Sequence, residues 1–431
     1  MKSCDFDLLV IGGGPAGSCA AATARQYGLR TLVVEKAAFP RFRIGESLLP
    51  AGNRVLRDIG AWPAIEAAGF VPKYGAEFHR ADGSAVKKID FSQGLIPGLD
   101  RTYQVERARF DALLLDHARS LGAEVRLETS VTAVADVAGG HEVTLSAAGA
   151  ACTLRVPWVI DATGRESALT SELKRELDPV RFPRRMAVFN HFTGVPRAAG
   201  REGGNILIVR VEHGWCWLIP IDATRTSVGL VTTVEAFRAA GQAPEAYFAR
   251  TVAGAPKLRE LLGAAAPAMT YHVATDYSYF RRDLARERLL LAGDAAGFFD
   301  PIFSSGVYLA LSSGRLAAQR VAEAHAAGRA LTEREQRGYT RAVKGHAGVF
   351  ARLIAAFYDE DAFDVFMSEH IPWDLKPGLT AIVAGQSELT WPLWWRYRVF
   401  LTVCRLQRYW QIVKPPAEPA ATPALAATAE K

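Results

Sequence analysis

The chain has 431 residues, 49% hydrophobic and 22% charged, with net charge +6 and mean hydropathy +0.04, the composition of one large or two fused globular domains. Its basic residues are scattered rather than blocked, which gives nucleic-acid binding little support, and the absence of a run of about 18 apolar residues excludes a transmembrane helix. Five cysteines (Cys4, Cys19, Cys152, Cys216, Cys404) without CxxC spacing, and nine histidines without a ligand pattern, argue against a disulfide framework and a metal and fit a reducing cytoplasm.

The first unit is DLLVIGGGPAGSCAAATARQYGLRTLVVEK. The apolar run before Gly12 predicts a buried strand. Pro15 onward predicts a helix with small residues on its packing face, and TLVVEK predicts a second buried strand ending at Glu35. This is a βαβ unit of about 30 residues. Asp5 and Asp7 before the apolar stretch, and Gly12, Gly13, Gly14 and Pro15 within it, speak against a signal peptide. Gly12, Gly14 and Gly17 give G-x-G-x-x-G between strand and helix. The first makes the tight turn, the second lets the backbone approach a pyrophosphate on the helix N-terminus, and the third allows close helix–strand packing. Glu35, about 20 residues on, is placed to accept from a ribose hydroxyl. In this setting the glycines predict a dinucleotide site rather than a plain turn.

A helix is expected at Phe110–Leu121, and strands at Glu124–Thr129, Val156–Asp161, Asn205–Val211, Ser227–Thr232 and Leu289–Ala292. Within the strand-rich middle, GWCWLIPI puts Trp215 and Trp217 on one face of a strand, since side chains alternate. Core filling is the plain reading of that pair. From Gly306 to about Leu406 the pattern is helical, and the final KPPAEPAATPALAATAEK has the composition of a disordered tail.

Two later stretches choose between FAD and NAD. VIDATGRESAL (159–169) sets Asp161, Gly164 and Arg165 after an apolar strand, and RLLLAGDAAGFFDPIFSSG (288–306) sets Asp294 after another. The second resembles the FAD-binding GD motif, whose Asp contacts the ribityl chain. YQVERARFDALLLDHA resembles the segment of aromatic flavin hydroxylases in which an Arg, here Arg107, lies against the FAD. Over about residues 5–330 the order of motifs resembles FAD monooxygenases of the two-domain, glutathione-reductase-like type. The resemblance implies an α/β fold. Its FAD-binding domain, with the βαβ unit, takes residues 1–180 and 280–330 with substrate-domain segments interleaved. An antiparallel-sheet substrate domain takes 181–279, a helical C-terminal cap 331–414, and the tail 415–431. It assigns Gly12, Gly14, Ala16, Gly17, Glu35, Lys36, Arg107, Asp294, Pro301, Gly306 and Val307 to the cofactor.

Three further stretches resemble flavin-dependent halogenases: WCWLIP (Trp215–Pro220) as the W-x-W-x-I-P signature, FPRFRIGESLLP (Phe39–Pro50), and FVPKYGAEF (Phe70–Phe78), which carries Lys73 at the family's catalytic lysine. The family chemistry implied is FADH2-dependent. Reduced FAD and O2 give a C4a-hydroperoxide, chloride or bromide attacks it, and hypohalous acid travels through a tunnel to the lysine beside an aromatic substrate. Trp215 and Trp217 would then wall the space near flavin and tunnel, with Pro220 closing the signature. In DPIFSSGV (300–307) the position where tryptophan halogenases carry a catalytic Glu is Phe303, so the resemblance is to the branch that takes phenols and pyrroles, free or on an acyl carrier protein. Ser304, Ser305 and Gly306 match the segment facing the flavin, with the amides of Ser305 and Gly306 as halide ligands. Glu46 is the nearest motif carboxylate, either a catalytic base or a structural group near the flavin. Lys73 has the ordinary alternative of a solvated surface lysine.

With no second GxGxxG for a nicotinamide, a separate flavin reductase is expected to supply FADH2. The rival readings are an aromatic hydroxylase, a geranylgeranyl-reductase-like enzyme, and a non-catalytic flavin-binding or membrane-associating module. The aromatic, basic stretch at 389–413 reads either as a helix over the pocket or as a face for a membrane or an acidic carrier protein.

Overall fold

The structure is a computed structural model that describes residues 6–166, 183–275, 278–369, 371 and 373–413. Cys4, the end of VIDATGRESAL, the boundary at 180/181 and the tail 415–431 lie outside the described residues.

Five parallel strands carry the nucleotide motif, in the order Leu289–Leu291, Trp158–Asp161, Leu8–Ile11, Thr31–Val34 and Glu124–Arg126. The first four are buried along their whole length, as an apolar run covered on both faces must be. The helices Pro15–Gln26, Arg107–Ser120 and Ser305–Ala326 share this core. So does a three-stranded antiparallel sheet, Thr129–Val137, Gly140–Ala147 and Ala150–Val156. Small residues let the first and last of the three helices touch: a Cβ on Gly314 would stand 2.2 Å from Ala16 O.

The large sheet runs Ala266–Pro267, Arg185–Thr193, Arg225–Thr233, Gly214–Pro220, Ile206–Val211, Gly75–Arg80, Val86–Asp90, with His272–Thr275 also paired to Arg185–Thr193. Every pairing is antiparallel except that of Ile206–Val211 with Gly75–Arg80. Residues 75–90 therefore belong to the same sheet as the strand-rich middle. Period-two alternation divides its side chains between two cores. Trp215, Trp217 and Ile219 join Phe78, Phe189 and Val231 in a core that continues into the C-terminal helices. Cys216 and Leu218 face Val209 and Leu230 in another, closed by the helices Pro244–Gly254 and Pro256–Leu262.

The cap consists of Glu333–Tyr358, Glu360–Met367, Lys376–Val383 and Trp391–Trp410. Thr332 and Glu335 form a capping box at its start. Leu393, Tyr397, Phe400 and Cys404 of the last helix pack into the core shared with Trp215 and Trp217, while Trp391, Tyr409 and Trp410 stay exposed. No helix among the described residues is long and apolar enough to cross a membrane.

Two expected strands break in two. Glu124–Arg126 ends before Glu128, whose φ of 50° turns the chain, and Thr129–Val137 begins a different sheet. Val156–Asp161 divides at Pro157, which has no N–H for a ladder. The expected helix at Phe110 starts earlier, at Arg107, and ends at Ser120.

Candidate active site

Not all the motif glycines are explained by the chain's own packing. Gly12 has φ +105°, and a Cβ there would stand 2.5 Å from Ala162 O; one on Gly17 would stand 1.8 Å from Gly12 O. Gly14 has extended backbone open to any residue, and its Cβ would meet only Arg41 Nη2, at 3.4 Å. The space before Gly14, at a helix N-terminus and beside a guanidinium, is a cradle for a phosphate. Arg41 is anchored by Asp111 (Nη1–Oδ2 3.0 Å), lies 3.9 Å from Glu35, and leaves its Nε unpartnered. Glu35 accepts from the backbone N–H groups of Gly13 (2.8 Å) and Ala37 (2.9 Å), which fix its carboxylate at the strand end. Lys36 follows it, exposed.

Arg107 pairs bidentately with Asp111, Nε–Oδ1 2.7 Å and Nη2–Oδ2 2.9 Å, and donates to Ile44 O at 2.8 Å. Asp111 is thus held between two guanidinium groups. Asp294, after Leu289–Leu291, is pushed up to about 6 by burial, with Arg107 and Arg165 opposing the shift. Ala16 lies against the small-residue contact, its Cβ 2.9 Å from where one on Gly293 would be. A phosphate cradle at Gly14, a fixed carboxylate at the ribose position and a carboxyl at the third strand end fit an FAD.

Lys73 ends the strand Val71–Lys73 and is 1% exposed. Its Nζ donates to Ser47 Oγ (2.8 Å) and Leu48 O (2.9 Å) and stands 5.4 Å from the centroid of the Phe91 ring. Neither hydrogen-bond partner carries charge, and burial lowers the amine from 10.5 to about 7. Lys73 lines a cavity of about 10 Å³ whose other walls include Leu49, Phe78, Phe91, Ile208, Phe303, Ser304 and Val383. The lysine and the turn that opens the helix Ser305–Ala326 therefore border one mostly apolar space.

That turn is built from buried and half-buried residues. Asp300 is 2% exposed and pushed up to about 6 by burial. Pro301 is half-buried, and Ser304 takes left-handed backbone (φ 54°) as the helix N-cap. Ser305 and Val307 are buried, and a Cβ on Gly306 would stand 3.0 Å from the Phe298 ring. Phe303 sits among Phe78, Phe357 and Phe366, with centroids 6.0, 6.0 and 6.1 Å away. An aromatic cage thus surrounds Phe303, which lines the same cavity as the lysine.

Trp215 and Trp217 lie side by side, centroids 5.8 Å apart, and both are buried. The indole of Trp217 donates to Ser227 Oγ at 3.1 Å and occupies the room left by Gly229, where a Cβ would be 2.1 Å from the ring. Pro220 ends the strand.

Glu46, one residue before Ser47, pairs with His191 (Oε1···Nε2 2.8 Å) rather than with Lys73, and its Oε2 has no protein partner. Sequence reasoning singled out neither His191, Ser47, Arg41 nor Asp111. Arg41 and Ser47 lie inside the FPRFRIGESLLP stretch, whereas His191 carries no local signal.

Residues 5–337 match the FAD binding domain family. The 1H-pyrrole-2-carbonyl peptidyl-carrier-protein chlorinase of Pseudomonas fluorescens is 35% identical over 349 residues, covering 75% of this chain and 77% of the relative. A tryptophan 2-halogenase of Chondromyces crocatus is 32% identical, covering 82% of this chain and 68% of its own. Among solved structures, a flavoprotein/dehydrogenase from Cytophaga hutchinsonii superposes with a TM-score of 0.86 at 28% identity, covering 94% of this chain and 98% of that one. Identity of this extent to two halogenases, on a chain built around an FAD binding domain, places the protein in the family of flavin-dependent halogenases.

Proposed function

We propose that the protein uses reduced FAD, O2 and chloride or bromide to halogenate an electron-rich ring, a pyrrole or phenol presented on an acyl carrier protein. The observation that carries this reading is the state of Lys73: a buried amine without a charged partner, opening on the same apolar cavity as Ser304. The carrier-bound pyrrole named for the Pseudomonas fluorescens relative, and Phe303 in place of a Glu, support the ring class.

When bound and reduced, FAD supplies the electrons that activate O2 and so convert halide to hypohalous acid. Gly14, Arg41 and Glu35 would hold its pyrophosphate and ribose, and the amides of Ser305 and Gly306 the halide. Trp215 and Trp217 keep an organic ring away from the flavin by bulk. At a value near 7 much of Lys73 is a neutral amine at neutral pH. It takes halogen from hypohalous acid, forming an N–halogen bond and releasing water. The ring then takes the halogen, and the ring proton returns to the lysine nitrogen. Ser47 Oγ and Leu48 O aim the amine, and the apolar walls keep water from competing. Glu46, held by His191, serves the flavin side, within electrostatic reach of Arg107.

A cavity of about 10 Å³ is far below the ~150 Å³ in which an engineered protein cavity holds benzene, so ring entry requires its walls to part. A separate flavin reductase supplies the reduced cofactor, and a reducing cytoplasm suits the buried thiols of Cys19, Cys216 and Cys404. The test is mass spectrometry of free and carrier-tethered pyrroles and phenols, incubated with the protein, FAD, a flavin reductase and chloride or bromide. Halogenated carrier-bound product is expected. Hydroxylated product, or no product from any ring, overturns the reading.

A further inference from the structure

The W-x-W pair is connected to the halide-side turn through a residue that no motif marks. Trp215 Nε1 donates to Tyr358 Oη at 2.7 Å, and Tyr358 Oη donates to Asp300 Oδ2 at 2.9 Å. The directions are fixed: an indole N–H can only donate, so the phenol accepts from it and spends its own proton on the carboxylate. Asp300 Oδ1 accepts from Ile302 N–H at 3.0 Å, and Arg185 Nε stands 3.6 Å from Oδ2. The Arg185 guanidinium also lies over the Tyr358 ring, 3.5 Å from its centroid. Four parts of the chain meet here: the strands of Arg185 and Trp215, the last residue of the helix Glu333–Tyr358, and the turn that leads through Phe303 to Ser305 and Gly306.

The geometry points to Tyr358 as a positioning residue for halide oxidation: through its single hydroxyl it ties the signature tryptophan to Asp300 and so sets where the Ser305 and Gly306 amides stand. This rests on the reading of that turn as the halide site. The signature then acts through a specific donor as well as through bulk. It also links the flavin side to the cap, because Tyr358 ends the first cap helix and Asp359 caps the next.

The test is Tyr358→Phe in the FAD-loaded protein, which keeps the ring and the Arg185 stacking and deletes only the hydroxyl. Asp300 is faced by Arg185 from its strand, by Tyr358 from the cap helix and by the Ile302 N–H of its own turn; burial raises its carboxyl to about 6, and those three groups oppose the rise. Losing the O–H raises it further. Three outcomes are expected together: FAD affinity within about twofold; halide KM up about tenfold with kcat at saturating halide little changed, the scale of one buried hydrogen bond; and the acid limb of hypohalous-acid formation, followed with a thiol trap, displaced to higher pH. Asp300→Asn should lose that limb. Trp215→Phe, which removes one bond and keeps an aromatic ring, should raise halide KM less and carries the same test if Tyr358→Phe does not fold. Unchanged halide KM and an unmoved acid limb in folded Tyr358→Phe overturn the proposal. If Gly306→Pro still raises halide KM in that case, the halide reading stands alone; if it does not, both fall.

Discussion

Replacing Lys73 with methionine is expected to stabilise the protein and abolish halogenation at once. The amine is 1% exposed between Ser47 Oγ and Leu48 O, and its value is about 7 where an unburied lysine has 10.5. At about 1.4 kcal/mol per pH unit, that gap corresponds to about 5 kcal/mol against the charged form. The folded value lies below the unfolded one, so the unfolded chain binds the extra proton between about pH 7 and 10.5. Stability therefore rises with pH across that window, and the whole penalty is in force below it. Methionine fills similar volume without charge but leaves Leu48 O without its donor, a loss of about 1–3 kcal/mol. The net gain at pH 7 should be about 2–4 kcal/mol, shrinking and reversing toward pH 10.5. Urea midpoints of both proteins at pH 6, 7.5 and 9.5, at equal slope, measure it. The same variant should bind FAD, consume O2 and leak hypohalous acid to a thiol trap while making no halogenated ring. A difference in midpoint that does not change with pH would refute the reasoning on burial, and halogenated product from the folded variant would remove Lys73 from the chemistry.

Gly14→Val should fold normally and lose FAD affinity at least about a hundredfold, because a Cβ there meets nothing of the chain closer than Arg41 Nη2 at 3.4 Å and the added methyls would fill the phosphate cradle; Gly17→Ala, 1.8 Å from Gly12 O, should fail to fold. Titration of flavin fluorescence alongside circular dichroism separates the two. Ser305→Ala should change halide KM by less than about threefold, since the backbone donor survives, whereas Gly306→Pro should raise it more than about tenfold by deleting an N–H in the first helical turn, where proline is tolerated. Gly229→Ala should displace the Trp217 indole, costing on the order of 1–3 kcal/mol and shifting tryptophan emission, because the new methyl would lie 2.1 Å from the ring.

What the sequence made legible was local. The strand–turn–helix around Gly12, Gly14 and Gly17 is written in consecutive residues, and the alternation of Trp215, Cys216 and Trp217 predicts which side chains share a face. Lys73 could be singled out from its neighbours, but its missing counter-charge could not, because Ser47 and Leu48 reach it from a separate loop. Arg185, His191 and Tyr358 were invisible for the same reason: their partners lie 115, 145 and 58 residues away. A hydrogen-bonded group that draws its partner from another layer leaves no periodicity to read. The strand breaks at Glu128 and Pro157 were missed because an apolar run says that a segment is buried, not which sheet it joins.

Among the described residues, the cap segment 376–387 is tied to the body by Ala51 N–H to Ala384 O at 3.1 Å, Leu95 N–H to Pro377 O at 3.0 Å, Arg54 Nη1 to Gln386 Oε1 at 3.4 Å, and the hydroxyls of Tyr308 and Ser387 at 2.7 Å. Val383 reaches the cavity from this piece of chain, while the nucleotide cradle and the tryptophan strand are built from residues before 307. One wall of the cavity is thus encoded apart from the nucleotide cradle and the tryptophan strand. Under the proposed halogenation, recombining the stretch from 376 to 387 between related enzymes should change how a ring fits against that one wall while leaving the nucleotide cradle unchanged, which makes that short segment an economical place to diversify a library.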